Sequence, residues 1–248
     1  MKKKKMFISF MALVVLFAFA QMAMAYTVKL VGGSGYGPYQ TGSGGEFTLQ
    51  PDVTLQWVLN SYSTLAKNQY QAQGSTPNFQ TFCVEDYEYV YANGTYTAIL
   101  NTAAVLGNVG PGGDPISVGT AYLYFHFVKG DLTGYDYINP GRSGDISSSA
   151  YLLQQAIWWL EGEGGSQNSF TTLVGGAAGK VDNNGTYPVF ALNLWEPGHE
   201  GDFSKDIYGN YLWVRQDMLV VATPIPAAAW LLGSGLVGLV AIRRRMKK

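Results

Sequence analysis

Ser147–Gly165, SSSAYLLQQAIWWLEGEGG, carries the clearest helical signal in the chain. Its serines offer an N-cap, and glycines from Gly162 onward stop the run. Leu152, Leu153, Ala156, Ile157 and Leu160 fall on one stripe at helical spacing. At about 100° per residue, Gln154 and Trp158 lie well off that stripe. A helix with a tryptophan away from its aliphatic face is expected to be covered on more than one side. A glutamine beside that tryptophan is then partly buried and needs a partner. Periodicity does not choose between Gln154 and Gln155, which flank the stripe about equally.

The surrounding chain is rich in turns and aromatics and poor in charge: 31 glycines, 14% aromatic and 13% charged residues in 248. That composition points to a β-rich α+β domain. The net charge of −1 hides a polarised distribution. Of 16 basic residues, Lys2–Lys5 lie at the N-terminus and Arg243–Arg245, Lys247 and Lys248 at the C-terminus. The seven that remain face all 17 acidic residues, a net of −10 between the termini. A domain this acidic has no basic patch for phosphates, so nucleic acid is excluded as a partner. The single cysteine, Cys83, rules out an internal disulfide framework and a thiolate zinc site. No metal or cofactor is expected.

Residues 1–25 read as a secretory signal: Lys2–Lys5, an apolar core over Met6–Ala20, and an Ala23-Met24-Ala25 cleavage site. Residues 26–222 then form one β-rich domain with a helical portion carrying Gln154. Tyr26–Val31 reads as a strand, Gly32–Gly45 as a mobile loop and Glu46–Leu59 as one or two strands. Ser61–Pro77 fits no element. Alternation over Tyr87, Tyr89 and Tyr91, the Asn93-Gly94 turn and the return over Thr95–Leu100 predict a hairpin. Ser117–Val128 is predicted helical, with Ser117 as cap and Gly130 past its end. A helical turn is expected near Phe170–Val174, and closing strands at Tyr187–Trp195 and Tyr211–Ala222. Residues 223–248 break with Pro224 and Pro226, then run apolar over 227–242 into a basic end. That run is shorter than the roughly 20 residues of a full span, and its basic cluster stays on the cytoplasmic side.

The tail TPIPAAAWLLGSGLVGLVAIRRRMKK resembles the PEP-CTERM sorting signals, in the variant written VPLPA. The resemblance rests on Pro224, Pro226, Ala227, the Gly233-Ser234-Gly235 step and Arg243, Arg244 and Arg245, with Ile225 in place of the usual glutamate. It implies an exported protein of a Gram-negative, exopolysaccharide-making cell, handled by signal peptidase and an exosortase. Such a protein is held at the inner membrane before release to the surface or matrix.

Cys83 in TFCVE and Gln154 in QQAIW are similar to the two motifs of surface thioester domains, with Ala121–Tyr124 and Gln216-Asp217 fitting as well. Leu153 stands where those domains usually carry threonine, and no proline follows Cys83 until Pro111. The resemblance selects Gln154 over Gln155 and implies an internal Cys83–Gln154 thioester. Trp158, Trp159 and Tyr87 would shield it. The implied function is covalent capture of an amine- or hydroxyl-bearing partner on a polysaccharide or protein surface, for adhesion or matrix attachment, without turnover. The competing readings are a non-covalent carbohydrate-binding or matrix-structural protein, an inert buried thiol, and a cysteine hydrolase using His126 or His199. Asp182–Gly185 reads as a turn rather than a calcium loop.

Overall fold

The structure, a computed structural model, describes residues 25–31, 45–60, 71–73, 76–106, 113–138 and 145–222. The signal segment, apart from Ala25, and the whole sorting tail, including the apolar run 227–242, lie outside the described residues. Among the described residues no helix is long and apolar enough to cross a membrane.

Among the described residues, nine strands and four α-helices make a β-rich α+β fold. The strands are β1 (Ala25–Leu30), β2 (Phe47–Pro51), β3 (Gln71–Gln73), β4 (Thr76–Thr81), β5 (Thr95–Asn101), β6 (Ala103–Ala104), β7 (Asp114–Pro115), β8 (Val189–Trp195) and β9 (Val214–Val221). The helices are α1 (Val53–Asn60), α2 (Val118–Lys129), α3 (Ser149–Glu161) and α4 (Ser169–Leu173), with a 3-10 turn at Gly176–Lys180. Seven strands form one antiparallel sheet in the order β3-β4-β2-β1-β5-β8-β9. The sheet curls until the chain just past β4 meets β9. There Leu219 N–H donates to Phe82 O at 3.1 Å and Val84 N–H to Asp217 O at 2.9 Å, with Cys83 opposite Met218.

Period-two alternation sorts the side chains at this seam. Phe82, Val84, Leu219 and Val221 enter a core shared with α2 and α3, while Cys83, Met218 and Val220 enter the interior of the curled sheet. Helix α3 is buried on two sides. Leu153, Ala156, Ile157 and Leu160 belong to the helical core, whereas Trp158 belongs to the sheet interior.

The caps expected at α2 and α3 form. Ser117 Oγ accepts from Thr120 N–H, Ser148 Oγ accepts from Tyr151 N–H, and Gly130 and Gly162 end the two helices in the left-handed region. Gly165 lies where a Cβ would collide with Gln155 O and Trp159 N, so the chain can fold back along α3 only with glycine there.

Two expectations are corrected. The second run of Glu46–Leu59 is helix α1, because Asp52 caps it: Leu55 N–H donates to its Oδ1 at 2.7 Å. The Tyr87–Tyr91 hairpin does not form. Asn93-Gly94 turns as expected, with Gly94 N–H on Tyr91 O, but residues 85–91 contain no strand. β5 pairs instead with β1 and β8.

Candidate functional site at the sheet seam

Gln154 sits one turn before Trp158 on the seam side of α3 and is fully buried. Its carboxamide holds the main chain of Cys83 at both ends. Cys83 N–H donates to Gln154 Oε1 at 2.9 Å, and Gln154 Nε2 donates to Cys83 O at 2.8 Å. A second amide, Gly45 N–H, donates to the same Oε1 at 3.3 Å. Gly45 has a φ of 129°, in the region that favours glycine. The sheet thus supplies the ladder partner on one edge of the Cys83 segment and a side chain supplies it on the other. Gln155, one residue on, is partly exposed.

Cys83 is 4% exposed, and burial pushes its thiol well above its ordinary value, with Asp86, Glu85 and Glu88 adding to the rise. At neutral pH it is a protonated thiol, shielded from solvent reagents. Trp158 packs in the same core and donates from Nε1 to Glu85 O at 3.0 Å, an oxygen that also accepts from Gln216 Nε2 at 2.5 Å.

The other two expected shields are elsewhere. Trp159 is turned about 140° from Gln154 around the helix, is partly exposed, and lies under Lys180, whose Nζ is 4.0 Å from its ring. Tyr87 is 75% exposed because the segment carrying it leaves the sheet. His126, a candidate base for a hydrolase, is partly exposed, with Nδ1 2.7 Å from Asp131 Oδ1. His199 stacks on Trp213 at 3.7 Å. Both histidines are committed to partners other than Cys83. Asp182–Gly185 is a turn, closed by Thr186 N–H on Asn183 O.

Beside the pair lies a group of acids that sequence reasoning passed over. Carboxylate oxygens of Glu85, Glu88 and Asp217 all lie within 4.8 Å of one another. Asp217 is fully buried and well satisfied: Val105 N–H and Asn193 Nδ2 donate to Oδ2 at 2.5 and 2.8 Å, and Leu194 N–H to Oδ1 at 3.3 Å. Glu85 is 3% exposed and neither of its oxygens makes a well-formed hydrogen bond; the Glu88 carboxyl lies against it and the Leu106 main chain is near enough to act on it. Burial raises all three acids, Glu85 to about 10 and Glu88 to about 8, with mutual repulsion adding. The signal available in the sequence was the spacing of Glu85 and Glu88 directly after the cysteine; Asp217 is 134 residues from Cys83 along the chain.

Chemically, the seam presents a buried carboxamide whose oxygen is already polarised by two main-chain donors and which is held on the main chain of the one cysteine. Compared with protein-family models, curated proteins and solved structures, the chain finds no match in any of the three.

Proposed function

We propose that this is an exported surface protein in which Cys83 and Gln154 join as an internal thioester that captures an amine- or hydroxyl-bearing partner once. The observation that carries the reading is the Gln154 carboxamide, fully buried and held on the Cys83 main chain. In thioester formation the sulfur bonds the carboxamide carbon, the C–N bond breaks, and Nε2 leaves as ammonia with the thiol proton. Negative charge develops on Oε1, where the Cys83 and Gly45 N–H groups already converge as an oxyanion hole. Burial keeps water from hydrolysing the product. In capture, an amine or hydroxyl of a polysaccharide or protein displaces the Cys83 sulfur and returns its proton to it.

The export part of the reading rests on the sequences of residues 1–25 and 223–248. Signal peptidase cuts after Ala25, and an exosortase handles the tail at the inner membrane before surface or matrix display. The protein is not an enzyme on this reading, since each chain reacts once.

Intact mass of the secreted protein, prepared quickly at low pH, tests the central claim. The expected result is a chain lighter than its processed sequence by one ammonia. Methylamine should then add to Gln154 and make Cys83 alkylatable. Cys83→Ala and Gln154→Ala should show full mass, and Gln155→Ala should behave as wild type. A wild-type chain of full mass whose thiol alkylates only on unfolding makes Gln154 a structural clamp instead.

One observation favours the second reading, non-covalent sugar binding: Tyr87, Tyr89 and Tyr91 expose 75%, 67% and 65% of their surface on one segment. Aromatic faces of this kind stack on sugar rings. Retention on the producing cell's own polysaccharide that survives Cys83→Ala but falls in a Tyr87→Ala, Tyr89→Ala double variant would select it.

A further inference from the structure

We infer that Glu85, Glu88 and Asp217 form a calcium site at the closing seam of the sheet, whether or not the thioester forms. Three observations carry it. The first is proximity: their oxygens lie within 4.8 Å of one another. Ligand oxygens around one Ca²⁺ at its usual bond length are at most about 4.6–5.2 Å apart, so three oxygens this close can share one ion.

The second is an unmet need. Glu85 is 97% shielded, and neither its two oxygens nor Glu88 Oε2 makes a well-formed hydrogen bond to a fixed donor; the two carboxyls lie against each other instead. A buried carboxylate without donors is costly, and one facing two others more so. The positive group that acts on the cluster, Arg215, is committed elsewhere: its Nε donates to Glu196 Oε1 at 2.9 Å and its Nη1 to Val214 O at 2.7 Å. Glu163 adds further negative charge from the end of α3. Oxygens of Glu85 without a fixed donor are open to a cation in a way that capped ones are not.

The third is orientation. Three donors fix Asp217, from Val105, Asn193 and Leu194, and leave it lone pairs to spare. That is the pattern of a ligand held from behind by an outer layer of hydrogen bonds. An all-carboxylate, hard-oxygen set suits Ca²⁺ over softer transition metals. The remaining positions of its six to eight-fold shell fall to water or main-chain oxygens. The ion would join β9 to the segment just after Cys83, so it would also hold the closed sheet.

Equilibrium dialysis of the whole secreted chain, stripped with EGTA and returned to CaCl₂ at pH 7.5, tests this, with bound metal read by atomic emission. The expected result is about one Ca²⁺ per chain and a melting temperature that rises with calcium. Glu88→Gln should weaken binding by at least about tenfold and abolish the calcium-dependent rise. Asp206→Asn, in an exposed turn, should do neither. Glu85→Gln is the second variant should Glu88→Gln not fold. No bound calcium at millimolar CaCl₂ overturns the proposal and leaves the cluster neutralised by protons. Loss of calcium in Asp206→Asn but not in Glu88→Gln, or displacement by equimolar MgCl₂, overturns it too. Because the readout is metal, it is independent of the mass test for the thioester.

Discussion

On one side of α3, Leu153, Ala156, Ile157 and Leu160 fill the helical core with hydrocarbon. On the other, Gln154 and Trp158 meet the sheet seam with polar atoms that all find main-chain partners. The buried acids divide in the same way. Glu161, on the helical side, accepts from Ser117 N–H and, at 2.7 Å, from Ser117 Oγ; Glu46 accepts from Tyr135 Oη at 2.6 Å. Glu85, at the seam, makes no well-formed hydrogen bond and lies against Glu88. The contrast teaches that burial alone does not say what a polar group does. Glu161 and Glu46 are held by donors of their own, whereas Glu85 is left among like charges.

Trp158→Ala strikes the seam hardest. It removes a buried indole and a hydrogen bond to Glu85 O, and should cost about 3–5 kcal/mol in urea unfolding. Trp159→Ala should cost clearly less, and equal losses would erase the distinction between the two sides. Gln154→Leu keeps the bulk but orphans Cys83 N–H, Cys83 O and Gly45 N–H. A loss of about 2–4 kcal/mol is expected, against a change within about 0.5 kcal/mol for the partly exposed Gln155→Leu.

The paired acids give a pH signature. Burial raises both Glu46 and Glu161 to about 7, above the ordinary 4.5. The folded chain holds those protons more tightly than the unfolded chain. Their contribution is therefore full below about pH 4.5, is lost as pH rises toward 7, and stays level beyond. Urea midpoints should fall between pH 5 and pH 8, and Glu161→Gln should flatten part of the slope. A midpoint that climbs over this range would show these acids to be ionised in the fold. The smallest effect belongs to the surface: Tyr87→Ser should leave stability within about 0.5 kcal/mol, and a larger loss would return that tyrosine to a shielding role.

What could be read beforehand follows how local each cause is. Helices α2 and α3 announce themselves because Ser117, Gly130, Ser148 and Gly162 cap them from within a few residues. The β-propensity of Val53, Trp57 and Val58 hid helix α1, whose deciding residue is the Asp52 cap. Alternating tyrosines looked like a hairpin arm, yet β5 takes its partners from β1 and β8, which no local pattern specifies. Cys83 and Gln154 were singled out by resemblance; the helical period left Gln155 level with Gln154, and it is the depth of the seam that separates them. Glu85 and Glu88 carry no site signal of their own, because the third acid, Asp217, is remote in sequence.

The closing of the sheet also sets an order of events. Thr81 Oγ1 reaches Leu219 O across 138 residues, and the edge that carries Cys83 has no ladder partner until β9 arrives. Contacts so distant along the chain come late in folding. A chain delivered from its N-terminus can therefore complete the sheet seam only once residue 219 has been released. Any event that depends on the closed seam is reserved for a chain delivered at least that far.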